Sequence, residues 1–312
     1  MNSKTQFAFL KNVEKHLVEA KSRTLKWRTV CYSQTNSNCT ATISYYASMN
    51  PYACGDIVLF PGLATNTEID PLMKSLLFWA LTHRRNVFTV DTFVGDFKEQ
   101  ISFTEAREFA TKNTYKEFVT LIEQSIKFIQ HYTIPNKNIL VGHSAGATGL
   151  TNAMNNLTEQ NVKTNIGSVI LFAPCFGNLQ RGTIDNAVKR RMESNHSEYP
   201  EGVLVMPNAQ DIWLTKKMRH IYIAPNFISD MFTSAFKPDL MNKWGTYITI
   251  VAAEKDTKVS FNYLKQYFDK MVQGNNSDLF RFIPLQNTQH CILLANQNNK
   301  QIVNVIKTQK TK

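Results

Sequence analysis

From Asp56 to Pro284 the chain switches repeatedly between two patterns: short runs that are apolar at nearly every position, and longer segments in which apolar residues recur every three or four positions. A short continuous apolar run suits a strand covered on both faces, and the longer period suits a helix with one buried stripe. The runs Asp56–Phe60, Asn86–Asp91, Asn138–Val141, Ile166–Ala173, Thr246–Ala252 and Asp278–Pro284 are therefore expected as strands. Between them, Asp70 and Pro71 open a helix reaching about His83, because Asp is a good N-cap and Pro is tolerated in a first turn. Tyr115, Phe118, Ile122, Ile126 and Ile129 mark a helix over Thr114–Tyr132, stopped by Pro135. Further helices are expected from Ala145 to about Leu157 and from Val259 to Met271, the latter with a stripe of Phe261, Leu264, Phe268 and Met271.

Outside this rhythm, Lys4 to Lys21 reads as an amphipathic helix with Phe7, Leu10, Val13, Leu17 and Ala20 on one side. Leu25–Cys31 and Cys39–Ala47 read as a hairpin around a polar turn, Asp91–Asn113 as mostly loop, and Cys291 onward as a closing helix. From Pro174 to about Trp244 the alternation stops for longer than a bare loop allows. The expectation is an α/β core over 1–173 and 245–312, with 174–244 inserted as a largely helical cap. Strands alternating with helices give a mostly parallel, doubly wound sheet with an antiparallel start. Such sheets bind ligands at the carboxyl ends of their strands.

Composition narrows the class. The 312 residues are 43% apolar and 19% charged, ordinary for a globular chain, and no run of about 18 apolar residues exists to cross a membrane. Met1–Leu10 is too polar for the hydrophobic region of a secretory signal, so a cytoplasmic location is expected, with export by another route left open. Five cysteines without paired C-x-x-C spacing indicate neither a disulfide framework nor a zinc site. The formal charge of +11 admits anionic partners, including peripheral contact with an anionic membrane. It is scattered, with short clusters at Lys189–Arg191, Lys216–Arg219 and Lys307–Lys312, and no nucleic-acid motif stands beside it.

The chemistry concentrates at Gly142-His143-Ser144-Ala145-Gly146, a G-x-S-x-G between an expected strand and an expected helix. A serine on so sharp a turn needs neighbours without bulk two positions away, which Gly142 and Gly146 provide. The motif is short enough to arise by chance, so its context matters. A serine hydroxyl needs a base to take its proton and a third group to orient that base. Asp256 lies just past the strand Thr246–Ala252, with Glu254 as the fallback and helix capping as the alternative role of Asp256. His290 is the sole histidine after Asp256 and follows the last strand; His143 is expected to pack beneath the turn. The order Ser144, Asp256, His290 is the one elbow-bearing sheets use. An oxyanion would then take N–H bonds from Ala145, after the nucleophile, and from Leu63 in Pro61-Gly62-Leu63, after the third strand.

With Phe60-Pro61-Gly62-Leu63, Gly142-His143-Ser144-Ala145-Gly146, Glu254-Lys255-Asp256 and Gln289-His290 in view, the chain resembles the α/β-hydrolases, specifically capped serine hydrolases such as monoglyceride lipases, lysophospholipases and related esterases. The resemblance covers roughly Asp56 to the C-terminal helix, and many relatives carry His-Gly where this chain has Pro61-Gly62. It implies a cap between the sixth and seventh strands and hydrolysis of a small-molecule or lipid ester through an acyl-enzyme, without metal or cofactor. Transfer to another acceptor, thioester cleavage, peptide hydrolysis and a non-catalytic binding role on the same fold stay open, as does the oligomeric state.

Overall fold

A computed structural model describes residues 26–32, 39–48, 53–67, 69–176, 202–207, 219–234, 237–256, 258–273, 277–290 and 296–308. The amphipathic helix expected over 4–21 lies outside them. Strands β1 (Lys26–Tyr32), β2 (Thr40–Tyr46), β3 (Asp56–Phe60), β4 (Asn86–Thr92), β5 (Asn138–His143) and β6 (Ser168–Phe172) alternate with helices α1 (Pro71–Thr82), α2 (Phe103–Lys112), α3 (Tyr115–Ile129) and α4 (Ala145–Glu159). Strands β7 (Leu204–Pro207) and β8 (His220–Ile223) and helices α5 (Phe227–Thr233) and α6 (Pro238–Lys243) follow. The chain then runs through β9 (Tyr247–Ala253), α7 (Phe261–Gln273), β10 (Phe280–Leu285) and α8 (Asn296–Lys307).

Eight strands form one sheet in the order β1-β2-β4-β3-β5-β6-β9-β10. The first two pairings, β1 with β2 and β2 with β4, are antiparallel, and the remaining five are parallel. The parallel strands β3, β5 and β6 are buried at every position, which is why they read as continuous apolar runs. Alternate side chains divide between two cores. Ile57, Leu59, Ile139 and Val141 face α1 and α8, whereas Val58, Phe60 and Leu140 face α3, α4 and α7. Each fully buried chain of this size contributes about 1.5–3 kcal/mol relative to exposure.

Two expectations change. The segment 91–113, expected as mostly loop, contains α2, which starts at a reciprocal capping box: Ser102 Oγ accepts from Glu105 N, and the Glu105 carboxylate accepts from Ser102 N. Only Ala106 and Ala110 of α2 are buried, so no apolar stripe announces it. Within 174–244, expected as largely helical, the described residues include the antiparallel pair β7–β8 besides α5 and α6. Its sequences Leu-Val-Met-Pro and His-Ile-Tyr-Ile are short and rich in β-branched and aromatic residues, which suits a ribbon. Leu204, Ile221, Ile223 and Phe227 sit in the main core, and Val203, Val205 and Tyr222 cluster with Ala106 and Ala110 of α2.

Candidate active site

At the carboxyl end of β5 the chain turns into α4 through Ser144, whose φ of 52° and ψ of −119° lie where residues other than glycine are strained. The turn holds because its neighbours pack too closely for anything larger. A Cβ on Gly146 would lie 2.3 Å from the carbonyl oxygens of both Phe60 and Pro61, and one on Gly142 would lie 2.5 Å from Ala147 Cα. Ser144 N donates to Phe172 O of β6, and Thr148 N donates to Ser144 O, so the strained residue is fixed from both sides.

The structure brings Asp256 and His290 to this serine. Ser144 Oγ lies 2.9 Å from His290 Nε2, and His290 Nδ1 lies 2.8 Å from Asp256 Oδ2. The Asp256 side chain is 1% exposed, and its other oxygen accepts from Lys258 N and Val259 N. Asp256 thus closes a turn with Oδ1 while Oδ2 faces the histidine; it does not cap the following helix, which begins at Phe261 with Ser260 Oγ accepting from Tyr263 N. Glu254, the fallback, is exposed and accepts from Asn287 N. Lys255 N donates to Thr288 O and Glu254 N to Leu285 O, which ties the loop bearing His290 to the loop bearing Asp256.

Residues 61–63 follow β3, whose Phe60 is paired with Gly142 of β5, and they run against the elbow: a Cβ on Gly62 would lie 3.3 Å from Ser144 Cβ. Leu63 therefore belongs to the loop beside Ser144, and Ala145 opens α4, where the first N–H groups have no acceptor within the helix. A carbonyl attacked by Ser144 would form its oxyanion between this loop and this helix start.

Beneath the serine, His143 is buried with Nδ1 2.7 Å from Asp70 Oδ2 and Nε2 3.2 Å from the carbonyl oxygen of His290. Burial works against charge on both partners, but Asp70 and His143 stabilise each other's ionised form. The carboxyl of Asp70 is held below its ordinary range and the imidazole of His143 above its own, the latter aided by the His290 carbonyl and the Asp256 charge. On the other side of Ser144, the Cys175 thiol approaches Oγ at 3.8 Å. Burial pushes that thiol up to about 12, which leaves it protonated and unreactive near neutral pH.

No protein-family model matches the chain, and neither does any curated protein. Among solved structures, the chain is similar to Est1E from Butyrivibrio proteoclasticus, with a TM-score of 0.55 and 12% identity, covering 89% of this chain and 97% of that one. It is also similar to the alpha/beta hydrolase GrgF from Penicillium sp. sh18, with a TM-score of 0.56, 10% identity and coverage of 91% and 99%. The chain has the α/β-hydrolase fold. The chain is also similar to the thioesterase domain from the curacin biosynthetic pathway, with a TM-score of 0.54, 11% identity and coverage of 91% and 100%.

On this α/β-hydrolase sheet, Ser144, Asp256, His290 and the 61–63 loop all stand at carboxyl ends of parallel strands, namely β5, β9, β10 and β3. Sequence reasoning left His143 as a packing residue and Asp70 as a helix cap. The signal it lacked was their pairing across 73 residues, since each alone has an ordinary local explanation. Of the other histidines among the described residues, His83 ends α1 with Nδ1 beside Trp79 O, His131 is exposed after α3, and His220 opens β8. No helix among the described residues is long and apolar enough to cross a membrane.

Proposed function

We propose that the protein is a serine hydrolase that cleaves carboxylic esters through an acyl-enzyme. The observation that carries this reading is the continuous chain from Ser144 Oγ to His290 Nε2 and from His290 Nδ1 to Asp256 Oδ2, at 2.9 and 2.8 Å. His290 takes the proton of Ser144 as its oxygen attacks the ester carbonyl, and Asp256 stabilises the resulting imidazolium. The N–H groups of Leu63 and Ala145 receive the oxyanion. His290 then protonates the departing alcohol, and in the second half it activates water against the acyl-enzyme. No step calls for a metal or cofactor.

The substrate reading is a lipid or small-molecule ester of the lipase, lysophospholipase or esterase type, with 174–244 acting as the cap over the site. Leu204, Ile221, Ile223 and Phe227 are taken up by the core, so in this reading they anchor the cap and other cap residues meet the acyl chain. The same triad cleaves thioesters or passes the acyl group to an alcohol, and the thioesterase neighbour supports that second reading. Labelling with a fluorophosphonate probe tests the mechanism: adduct mass on Ser144 is expected, and absence of labelling at Ser144 overturns it. A panel of p-nitrophenyl esters, lysophospholipids and acyl thioesters, run with competing alcohols, then separates hydrolase, thioesterase and transferase.

A further inference from the structure

Three strand-end loops, those following β3, β5 and β10, meet at one buried side chain, His143. Asp70, reached from the 61–70 loop, caps α1 with Oδ1, which accepts from Leu72 N and Met73 N. Its other oxygen, Oδ2, is 2.7 Å from His143 Nδ1, the length of a charge-assisted bond. On the far side of the ring, Nε2 faces the carbonyl oxygen of His290 at 3.2 Å. A carbonyl can only accept, so this contact requires a proton on Nε2. Asp70 is favoured as a carboxylate by the two N–H bonds to Oδ1 and by the imidazole beside it, and an ionised Oδ2 accepts from a proton on Nδ1 as well.

We propose that His143 is the positioning residue for the base: an imidazolium held between Asp70 and the His290 carbonyl, which ties the loop carrying His290 to the elbow carrying Ser144. The proposal rests on the reading of Ser144 and His290 as nucleophile and base. The geometry gives it a mechanical sense. Ser144 and His143 are adjacent in the chain, so a bond from His143 to the backbone of His290 sets how closely the His290 ring can approach Oγ. The two imidazole centroids are 5.7 Å apart. Among the described residues, the titratable groups acting on His143 are Asp70 at the head of α1, Asp256 after β9 and His290 after β10. Removal of the Nε2 proton would leave a lone pair facing the His290 carbonyl, and the tie would open.

Asp70→Asn separates charge from hydrogen bonding. The asparagine can still cap α1 through its oxygen while its amide donates to Nδ1, so a neutral His143 keeps its proton on Nε2 and keeps the tie. The double variant Asp70→Asn/His143→Met removes the donor without leaving a buried charge. Fluorophosphonate labelling of Ser144 is expected within about threefold of wild type for the single variant and slower by about 10–100-fold for the double, the scale of an ångström's misplacement. In p-nitrophenyl ester hydrolysis the loss should fall on kcat rather than KM. Nitrogen NMR of the wild-type imidazoles supplies a readout that needs neither activity nor a folded variant: both nitrogens of His143 should carry protons at pH 7.

A neutral His143 at pH 7 overturns the imidazolium, and a His143 without a proton on Nε2, or a folded double variant that labels at the wild-type rate, overturns the positioning role. Loss of labelling at Ser144 in the wild type would instead remove the hydrolase reading, while a doubly protonated His143 would still leave the His290 backbone tied to the elbow.

Discussion

Ser144 Oγ and His290 Nε2 stand 2.9 Å apart although 146 residues separate them in the chain. Contact of this kind arises only if β5 and β10 end on the same edge of the sheet, and it hands the serine proton a direct route to an imidazole. Ser144→Ala should lower kcat for a p-nitrophenyl ester by about 10⁶-fold, the scale seen when a triad nucleophile is removed, with the fold intact. Circular dichroism and the ester assay check both halves. Retention of activity would exclude Ser144 as nucleophile.

Replacing Ser144 by glycine tests the strain at the elbow separately from the chemistry. With φ at 52°, the serine backbone holds a conformation costing on the order of 1–3 kcal/mol for a residue with a Cβ. Ser144→Gly should be inactive yet more stable than Ser144→Ala in denaturant unfolding, by about 1 kcal/mol once the greater freedom of glycine in the unfolded chain is subtracted. Equal midpoints for the two variants would show that the turn carries no such strain.

Asp256 faces two ways, and one substitution can silence one role while sparing the other. In Asp256→Asn the side-chain oxygen would still accept from Lys258 N and Val259 N, so the turn should survive. The new amide would donate to His290 Nδ1, leaving the imidazole with its proton on Nε2, pointed at Ser144 and unable to take another. This variant should lose about 10⁴-fold in kcat with little loss of stability. Asp256→Ala should also lose the turn, about 1 kcal/mol. A fully active Asp256→Asn protein would point to another orienting group.

The parts of this molecule that were legible in the sequence are those whose cause is local. Strands β3, β5 and β6 are buried on both faces, and so their composition is apolar throughout. The Gly142 and Gly146 spacing follows from contacts within the turn and with the adjoining strand end. Helix α2 was missed because its two buried residues are alanines, too small to mark a stripe, although its capping box was written in Ser102 and Glu105. The β7–β8 ribbon was missed because clusters of three or four apolar residues do not distinguish a short strand from a helix turn. The Asp70–His143 pair was illegible for a different reason. Only the placement of β3 and β5 side by side brings two residues 73 apart into one hydrogen bond.

Gly146 offers a test of the packing that shapes the site. A methyl group there would meet two backbone oxygens, those of Phe60 and Pro61, at 2.3 Å, and backbone cannot swing aside as a side chain can. The strand end must retreat and carry residues 61–63 with it. Gly146→Ala should therefore cost about 2–3 kcal/mol in stability and depress activity beyond that. At Gly149 the added methyl meets the side-chain ends of Ile122 and Phe118, at 2.6 Å from each. Gly149→Ala should thus lose stability while the surviving folded protein keeps its kcat, and a kcat loss equal to that of Gly146→Ala would refute the distinction.

The Asp70–His143 pair also gives stability a pH dependence whose sign can be worked out. Asp70 has a lowered value in the folded protein, so its contribution is present above the ordinary carboxyl value of about 3.9 and is lost as pH falls through the folded one. His143 has a raised value, so its contribution is complete below the ordinary imidazole value of about 6.5 and is lost as pH rises through the folded one. The pair should stabilise the fold most between about pH 4 and pH 6.5. In that window Asp70→Asn should cost about 1.5–3 kcal/mol, the range for a hydrogen bond to a charged group. Above it, the gap between wild type and variant should narrow as His143 discharges. Urea unfolding at closely spaced pH values measures the gap directly. A gap of constant size from acid to alkaline pH would mean that the 2.7 Å contact is a neutral hydrogen bond, and the imidazolium between the elbow and the His290 loop would fall with it.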